Sequence, residues 1–187
     1  MKPVFLALLV ALGGCGDEDL SSEEDARRAY LGLEKMIDKA MDLGFQGFNS
    51  ATSANIPDQS TTGEVGGALV VGGKVDQGSS SNKEMRLDLT LTDYSDIDGF
   101  IYSTGSTKPV LEMSLKKIPD GDMTGTLNGK FVMTGELEGE VVLALTIAAR
   151  LEPDPTDSSK VRRKPGTITV TGTATSVYGT YTVALKL

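Results

Sequence analysis

The side chains of this sequence that could support chemistry are mainly carboxylates, because the chain contains 26 acidic residues and no histidine. One acidic turn places Asp93, Asp96 and Asp98 directly ahead of Gly99. Three oxygen donors could bind Ca²⁺, but that ion takes six to eight ligands, and no bidentate glutamate stands at the required distance. We therefore interpret the three aspartates as a solvated hairpin turn, with a calcium site as the weaker alternative.

The composition also restricts the kinds of catalysis open to this chain. Without histidine there is no Ser-His-Asp triad, no Cys-His pair and no His-ligated zinc or iron site. Glycoside hydrolysis needs only two acids, and Glu136, Glu138 and Glu140 follow one another at two-residue steps. Nothing around them indicates the apolar burial that raises the pKa of a general acid. The sequence predicts a protein that is not an enzyme and that binds no cofactor.

A basic cluster stands out because the chain as a whole carries a formal net charge of −8. The cluster comprises Lys160, Arg162, Arg163 and Lys164. It could contact lipid headgroups or another anionic polymer. The alternative, which we favour, is a charged loop and edge strand, where basic residues discourage sheet-to-sheet aggregation. The acidic balance of the chain argues against a nucleic-acid partner, since such binding requires many Lys and Arg contacts to phosphate.

The only cysteine, Cys15, lies between an apolar segment and an acidic one. Lys2 precedes an unbroken apolar run over residues 4–12, which is followed by Gly13 and Gly14. Nine apolar residues are too few to cross a bilayer as a helix, which takes roughly 20 residues. They fit the apolar core of a secretory signal peptide. A single cysteine also excludes an internal disulfide and a Cys-based metal cage.

This N-terminal pattern, Leu12-Gly13-Gly14-Cys15, resembles the lipobox of bacterial lipoproteins, and the resemblance covers residues 1–16. It implies that residues 1–14 are a signal peptide, cleaved between Gly14 and Cys15, and that Cys15 becomes a diacylglyceryl cysteine. Two or three acyl chains anchor a protein where one chain binds only marginally. Gly16, rather than aspartate, follows the cysteine, which in this family implies the outer membrane rather than the inner one. The predicted partner is thus the membrane itself.

The acidic segment after Cys15 leads into a predicted amphipathic helix. We assign residues 15–21 to the lipidated cysteine and an acidic tether, residues 22–43 to the helix, and residues 44–62 to a polar loop or linker. The helix has a capping box from Ser21 to Glu24 and a stop signal at Gly44. Its apolar positions recur at steps of three and four, as on one helix face: Ala26, Tyr30, Leu33, Ile37, Ala40 and Met41. That face packs on the following sheet or, alternatively, binds a partner.

From residue 63 to residue 187 the apolar pattern has a period of two, which predicts an antiparallel β domain. We expect about eight strands, near residues 65–76, 84–92, 97–103, 109–117, 123–136, 140–151, 161–175 and 179–187. Asn128-Gly129 is a hairpin signal inside the fifth, so one long strand and two short strands both remain open. The predicted fold is mainly β (α+β): an N-terminal helix, then an antiparallel meander forming a strongly curved sheet or small barrel.

The inside of such a curved sheet offers the last candidate site. If the helix leaves it unfilled, adaptable apolar side chains would line a ligand pocket: Met85, Met113, Met123, Phe131 and Met133. An ordinary core is the commoner outcome in small barrels. The leading functional hypothesis is a membrane-anchored envelope lipoprotein with a non-enzymatic structural or interaction role. The alternative is a carrier or chaperone that binds an apolar ligand such as a lipid.

Overall fold

The computed structural model, which describes residues 17–76 and 78–187, contains one long helix followed by ten antiparallel strands of one curved sheet. The helix is α1 (Asp17–Ser50). The strands are β1 (Asn55–Thr62), β2 (Gly66–Val75), β3 (Lys83–Ser95), β4 (Phe100–Thr104), β5 (Val110–Lys116), β6 (Asp122–Gly135), β7 (Gly139–Pro153), β8 (Val161–Arg163), β9 (Thr169–Ser176) and β10 (Gly179–Lys186). The predicted fold class, mainly β with one N-terminal helix, is confirmed.

The ten strands occupy eight positions, in the order of the chain. Strands β4 and β5 share the position between β3 and β6, and β8 and β9 both pair with β7. Each position therefore pairs with the next one along the chain, which is the meander expected from short connections. The two edges of the sheet are β1 and β10, and α1 packs against both of them.

The hydrophobic core lies between α1 and the concave face of the sheet. Strand residues alternate between buried and exposed, as in β7, where every second side chain from Val141 to Leu151 is buried. The apolar stripe of α1 enters the same core, with Tyr30, Leu33 and Met41 fully buried. Burying one such side chain contributes about 1.5–3 kcal/mol. The helix therefore packs on the sheet, as the first of the two interpretations expected.

The helix is longer at both ends than the predicted range of residues 22–43. It begins at Asp17, inside the predicted tether, and continues through Gly44 to Ser50. Gly44 is not a stop signal, because a Cβ atom there would lie 2.7 Å from Leu87 Cδ1 and 2.9 Å from Met113 Cε. Glycine at position 44 permits the close approach of helix and sheet. The buried Phe45 continues the apolar stripe beyond Gly44.

The prediction of a polar loop over residues 44–62 is also wrong, because the second half of this segment forms β1. The sequence did not predict this strand, because β1 is an edge strand and buries only one side chain, that of Ile56. Pro57 lies in an irregularity of the ladder between Ile56 and Gln59. Proline and a bulge are common devices that protect an exposed sheet edge from pairing with other chains.

The open question at Asn128-Gly129 is resolved in favour of one long strand. Strand β6 pairs with β7 without interruption from Asp122 to Met133. Gly129 has φ +153°, and a Cβ atom there would lie 2.5 Å from Pro109 Cα. Glycine is thus required by the close approach of the segment before β5 and does not form a turn.

Candidate functional site

The five side chains predicted to line a ligand pocket lie in the hydrophobic core with α1. Met85, Met113, Met123, Phe131 and Met133 are all buried and belong to the same apolar cluster as the helix stripe. Helix and sheet approach so closely that Met113 Cε lies near the helix backbone at Gly44. The concave side of the sheet is therefore occupied by the protein's own helix.

The outer face of the sheet carries an open depression of about 640 Å³. Its floor crosses five strands in one register row, formed by Lys74, Arg86, Glu112, Thr126 and Thr146. Arg86 pairs with Glu112, and both side chains are more than half exposed. An exposed ion pair contributes little stability and is screened by salt. The depression can offer hydrogen bonds to a polar ligand, but Arg86 and Glu112 neutralise each other and are largely exposed to water.

The three aspartates of the predicted acidic turn do not converge on one point. Asp96 is buried and accepts hydrogen bonds from Lys39 Nζ at 2.6 Å, from the Tyr94 hydroxyl at 2.5 Å and from the Glu64 backbone N–H at 3.0 Å. Asp93 and Asp98 are exposed. Within residues 17–76 and 78–187, no group of three or more Asp, Glu, His or Cys side chains is placed to hold a metal ion.

Asp96 therefore acts as a structural acceptor that ties the helix to the sheet. Burial by itself would raise the pKa of this carboxyl group. The hydrogen bonds from Lys39, Tyr94 and Glu64 outweigh that effect and hold the pKa below its ordinary value. A depressed carboxyl pKa stabilises the fold above the unfolded pKa of about 3.9, and this contribution is lost as the pH falls through the folded pKa.

We expect Asp96→Asn to lower the free energy of unfolding at pH 7 by about 1.5–3 kcal/mol, the usual contribution of hydrogen bonds to a charged group. The difference from wild type should shrink as the pH falls below about 4, because the unfolded carboxyl group then binds a proton before the folded one, whose pKa is lower, does. Urea unfolding followed by circular dichroism at pH 7, 5 and 3 measures both effects. Asp98→Asn, on the same turn but exposed, is the matched control. A difference that stays constant with pH would contradict this role.

The basic cluster is largely paired within the fold. Lys160 pairs with Asp157, Arg162 with Glu152, and Arg163 with both Asp38 and Asp42 of the helix. Arg163 is buried, so its charge faces α1 and not solvent. The sequence offered only a weak signal of this contact, two acids four residues apart beside the apolar stripe. The ion pairs of Arg162 and Arg163 on β8 agree better with the interpretation as a charged loop and edge strand than with a site for an anionic polymer.

Of the three glutamates considered for glycoside hydrolysis, Glu136 and Glu138 lie in the connection between β6 and β7, and Glu140 lies at the start of β7. All three are exposed. Glu136 pairs with Arg28 of the helix, and Glu140 pairs with Lys130 at 2.8 Å. The backbone of Glu138 exchanges hydrogen bonds with the Tyr178 hydroxyl. These three residues thus join neighbouring elements at one end of the sheet, Glu136 and Glu140 through their side chains and Glu138 through its backbone.

That end of the sheet forms a continuous surface, which we call the rim: the turns at residues 63–65, 96–99, 136–138 and 177–178. Adjacent turns are joined by hydrogen bonds from Val65 N to Ser95 O (3.0 Å), from Glu136 N to Gly99 O (2.8 Å) and between Tyr178 and Glu138. The helix lies along the rim from Ser22, which donates a hydrogen bond to Tyr178 O, to Lys39, which pairs with Asp96. No sequence signal indicated that these four turns would meet.

The predicted lipidation and cleavage residues, Cys15 and Gly14, lie outside the described residues. Within the part of the chain that the structure describes, α1 is not apolar enough to qualify as a membrane-crossing segment. No protein-family model, curated protein or solved structure matches this chain. Its function must be inferred from its own residues and their geometry.

Proposed function

We propose that this chain is a lipid-anchored protein of the bacterial cell envelope, attached through Cys15, with a structural or interaction role and no enzymatic activity. The observation that carries the proposal is the N-terminal sequence: Lys2, the apolar run over residues 4–12 and Leu12-Gly13-Gly14-Cys15. Charge, apolar length, small residues and cysteine all occur in the order of a lipobox. Because Gly16 follows the cysteine, we propose the outer membrane rather than the inner one.

The position of the helix supports this proposal. The described part of helix α1 includes Asp17, which is two residue steps from Cys15 in the chain. Two residue steps span at most about 7 Å of extended chain. An anchor at Cys15 would therefore hold the folded domain close to the lipid surface. The helix would hold the sheet to this anchor, because buried side chains and the ion pairs of Lys39 and Arg163 fix it to the sheet.

The candidate chemical groups support a non-enzymatic role. The buried carboxylate, Asp96, is engaged by three donors, and the glutamates considered for hydrolysis are exposed. An ionisable group serving as general acid or base has to be within hydrogen-bond reach of a bound substrate. Asp96 is engaged by Lys39, Tyr94 and the Glu64 backbone N–H, so its role is to join the helix to the turn.

The alternative of an apolar-ligand carrier has less support from the geometry. Its ligand would occupy the concave side of the sheet, where Met85, Met113 and Phe131 pack in the core with α1. Binding there would require the helix to leave its place, and with it the ion pairs of Lys39 and Arg163. We therefore do not propose this function.

The proposal predicts that Cys15→Ser releases the protein from the membrane fraction and abolishes incorporation of radiolabelled palmitate. The acyl chains supply the binding energy, so loss of all of them should lower membrane association more than about tenfold. Fractionation and labelling in a bacterial host measure both effects. Gly16→Ala, which leaves the lipobox intact, is the matched control. Palmitate labelling or membrane association that persists in Cys15→Ser would overturn the proposal.

A further inference from the structure

Among the described residues, the exposed large apolar side chains are confined to one end of the sheet. Six such side chains occur among the described residues: Val65, Ile97, Ile101, Val132, Val142 and Val177. Each lies in one of the four rim turns or within four residues of one. Val177, at the tip of the turn between β9 and β10, is 75% exposed, and Val65 is 53% exposed. Single exposed apolar residues are ordinary, but their confinement to one end indicates a surface with its own contact.

The chain that would carry the anchor leaves the domain at this same end. Ser22 of α1 is hydrogen-bonded to the turn that carries Val177. Asp17, also in the helix, is five residues earlier and so lies about 7.5 Å farther along the helix axis. Cys15 is two residues beyond Asp17. An anchor at Cys15 is thus within roughly 15 Å of Ser22, which contacts the turn that carries Val177, when these two lengths are added.

We propose that the rim is the membrane-facing surface of the domain and that Val177 contacts the lipid headgroup region. This inference rests on the proposed lipidation of Cys15, and it adds the orientation of the domain and the residues that contact lipid. Apolar side chains on a membrane surface insert about 5–10 Å into the boundary between headgroups and acyl chains. The acyl anchor supplies the affinity, and the rim fixes which side of the domain faces the bilayer.

The charges near the rim specify the kind of lipid surface. Arg28, Lys35 and Lys39 are paired with acids of the rim turns or next to them. Other acids nearby, Asp98 and Glu138, are exposed. Anionic headgroups would repel such a surface. The rim therefore fits a lipid surface without net negative charge.

The opposite end of the sheet has a different character. The loop at residues 78–82 and the loop at residues 154–160 are polar, and Ser80, Ser81, Ser158 and Ser159 line a depression there beside Phe48. The C-terminal end of α1 lies at this end, where Asn49 is hydrogen-bonded to Val161. An anchor at the helix N-terminus would place these loops away from the membrane.

Site-specific labelling of the mature lipoprotein tests the orientation. Because Cys15 is the only cysteine and is acylated in the proposed protein, one introduced cysteine is the only free thiol. Val177→Cys places it on the rim, and Ser158→Cys places it at the opposite end as the matched control. Both positions are exposed, so neither change removes core packing. Each variant is labelled with a polarity-sensitive fluorophore and reconstituted into phosphatidylcholine vesicles that contain a nitroxide-labelled lipid.

We expect the fluorophore at position 177 to be quenched at least about twofold more than the one at position 158, since only the former enters the headgroup region. Vesicle flotation and the mass of the acylated protein are measured on the same samples. Equal quenching at the two positions in a protein that floats would overturn the orientation and leave the lipid anchor intact. An unacylated protein that fails to float would overturn the proposed function, and the orientation with it.

Discussion

Replacing both Asp38 and Asp42 by asparagine is expected to lower the free energy of unfolding by about 3–5 kcal/mol, because it leaves a buried guanidinium without a counter-ion. The side chain of Arg163 is only 6% exposed. It donates to Asp38 Oδ1 at 2.8 Å and pairs with Asp42 one helical turn later. The two acids are its counter-ions, and a charge cannot be buried cheaply when they are removed.

Removing the arginine instead should cost much less. In Arg163→Met, the acids left behind are 43% and 59% exposed, so water can solvate them. An apolar side chain of similar size fills the space, and replacing a buried ion pair by apolar residues is often neutral or stabilising. We expect a loss below about 1.5 kcal/mol for Arg163→Met. Adding Arg163→Met to the double asparagine variant should restore most of the lost stability.

Urea unfolding of the three variants at pH 7 measures these differences. Glu152→Gln is the matched control, because it removes a partly exposed partner of Arg162 on the same sheet. Its effect should stay within about 1 kcal/mol, as for other exposed ion pairs. If Arg163→Met proved as destabilising as the double asparagine variant, the cost would lie in lost packing, and the argument from the unpaired buried charge would be wrong.

The second large effect is expected from Gly32→Leu, which should lower the free energy of unfolding by about 3 kcal/mol or more through overpacking. A Cβ atom at position 32 would lie 2.4 Å from the Tyr102 hydroxyl oxygen and 2.5 Å from Tyr102 Cε2. Tyr102 is fully buried, and its hydroxyl donates to the carbonyl oxygen of Ala29 at 2.9 Å. The ring therefore has no room to move. The gain in helix propensity on replacing glycine, about 1 kcal/mol, is too small to offset the clash.

Two further glycines make this prediction specific. Gly105→Leu is the control for side-chain size, because no atom lies within 4 Å of a Cβ there. Gly44→Ala should cost less than Gly32→Ala, since its near neighbours are the flexible ends of Leu87 and Met113 rather than an aromatic ring. Thermal unfolding of the four variants gives the ranking. Equal losses at positions 32 and 105 would show that close helix-sheet packing is not the cause.

How much of the fold the sequence predicts depends on whether a segment has one buried face. The alternation at Met85, Leu87 and Leu89 predicted a strand because every second side chain enters the core. The helix stripe from Ala26 to Met41 was predicted for the same reason. Strand β1 was not predicted, because it buries only Ile56. Its ladder to β2 is therefore not accompanied by the alternation of apolar and polar residues that indicates a strand.

The candidate sites were predicted less well than the fold, because their contacts join residues far apart in the chain. Asp96 was interpreted together with its neighbours Asp93 and Asp98, yet its partner is Lys39, 57 residues away. Gly44 was interpreted as a helix stop from its local propensity, and the close approach of Leu87 overrides that signal. Local patterns carry no information on either partner.

The sequence by itself determined the helix stripe, the antiparallel alternation and the N-terminal pattern from which lipidation is proposed, because each depends on residues near one another in the chain. Tertiary structure alone decided that α1 fills the concave face, that Arg163 and Asp96 face the helix, and that four turns form one rim along helix residues 22–39. The physical reason is that burial and charge pairing are settled by which distant surfaces meet. That meeting depends on how the eight strand positions curve around the helix.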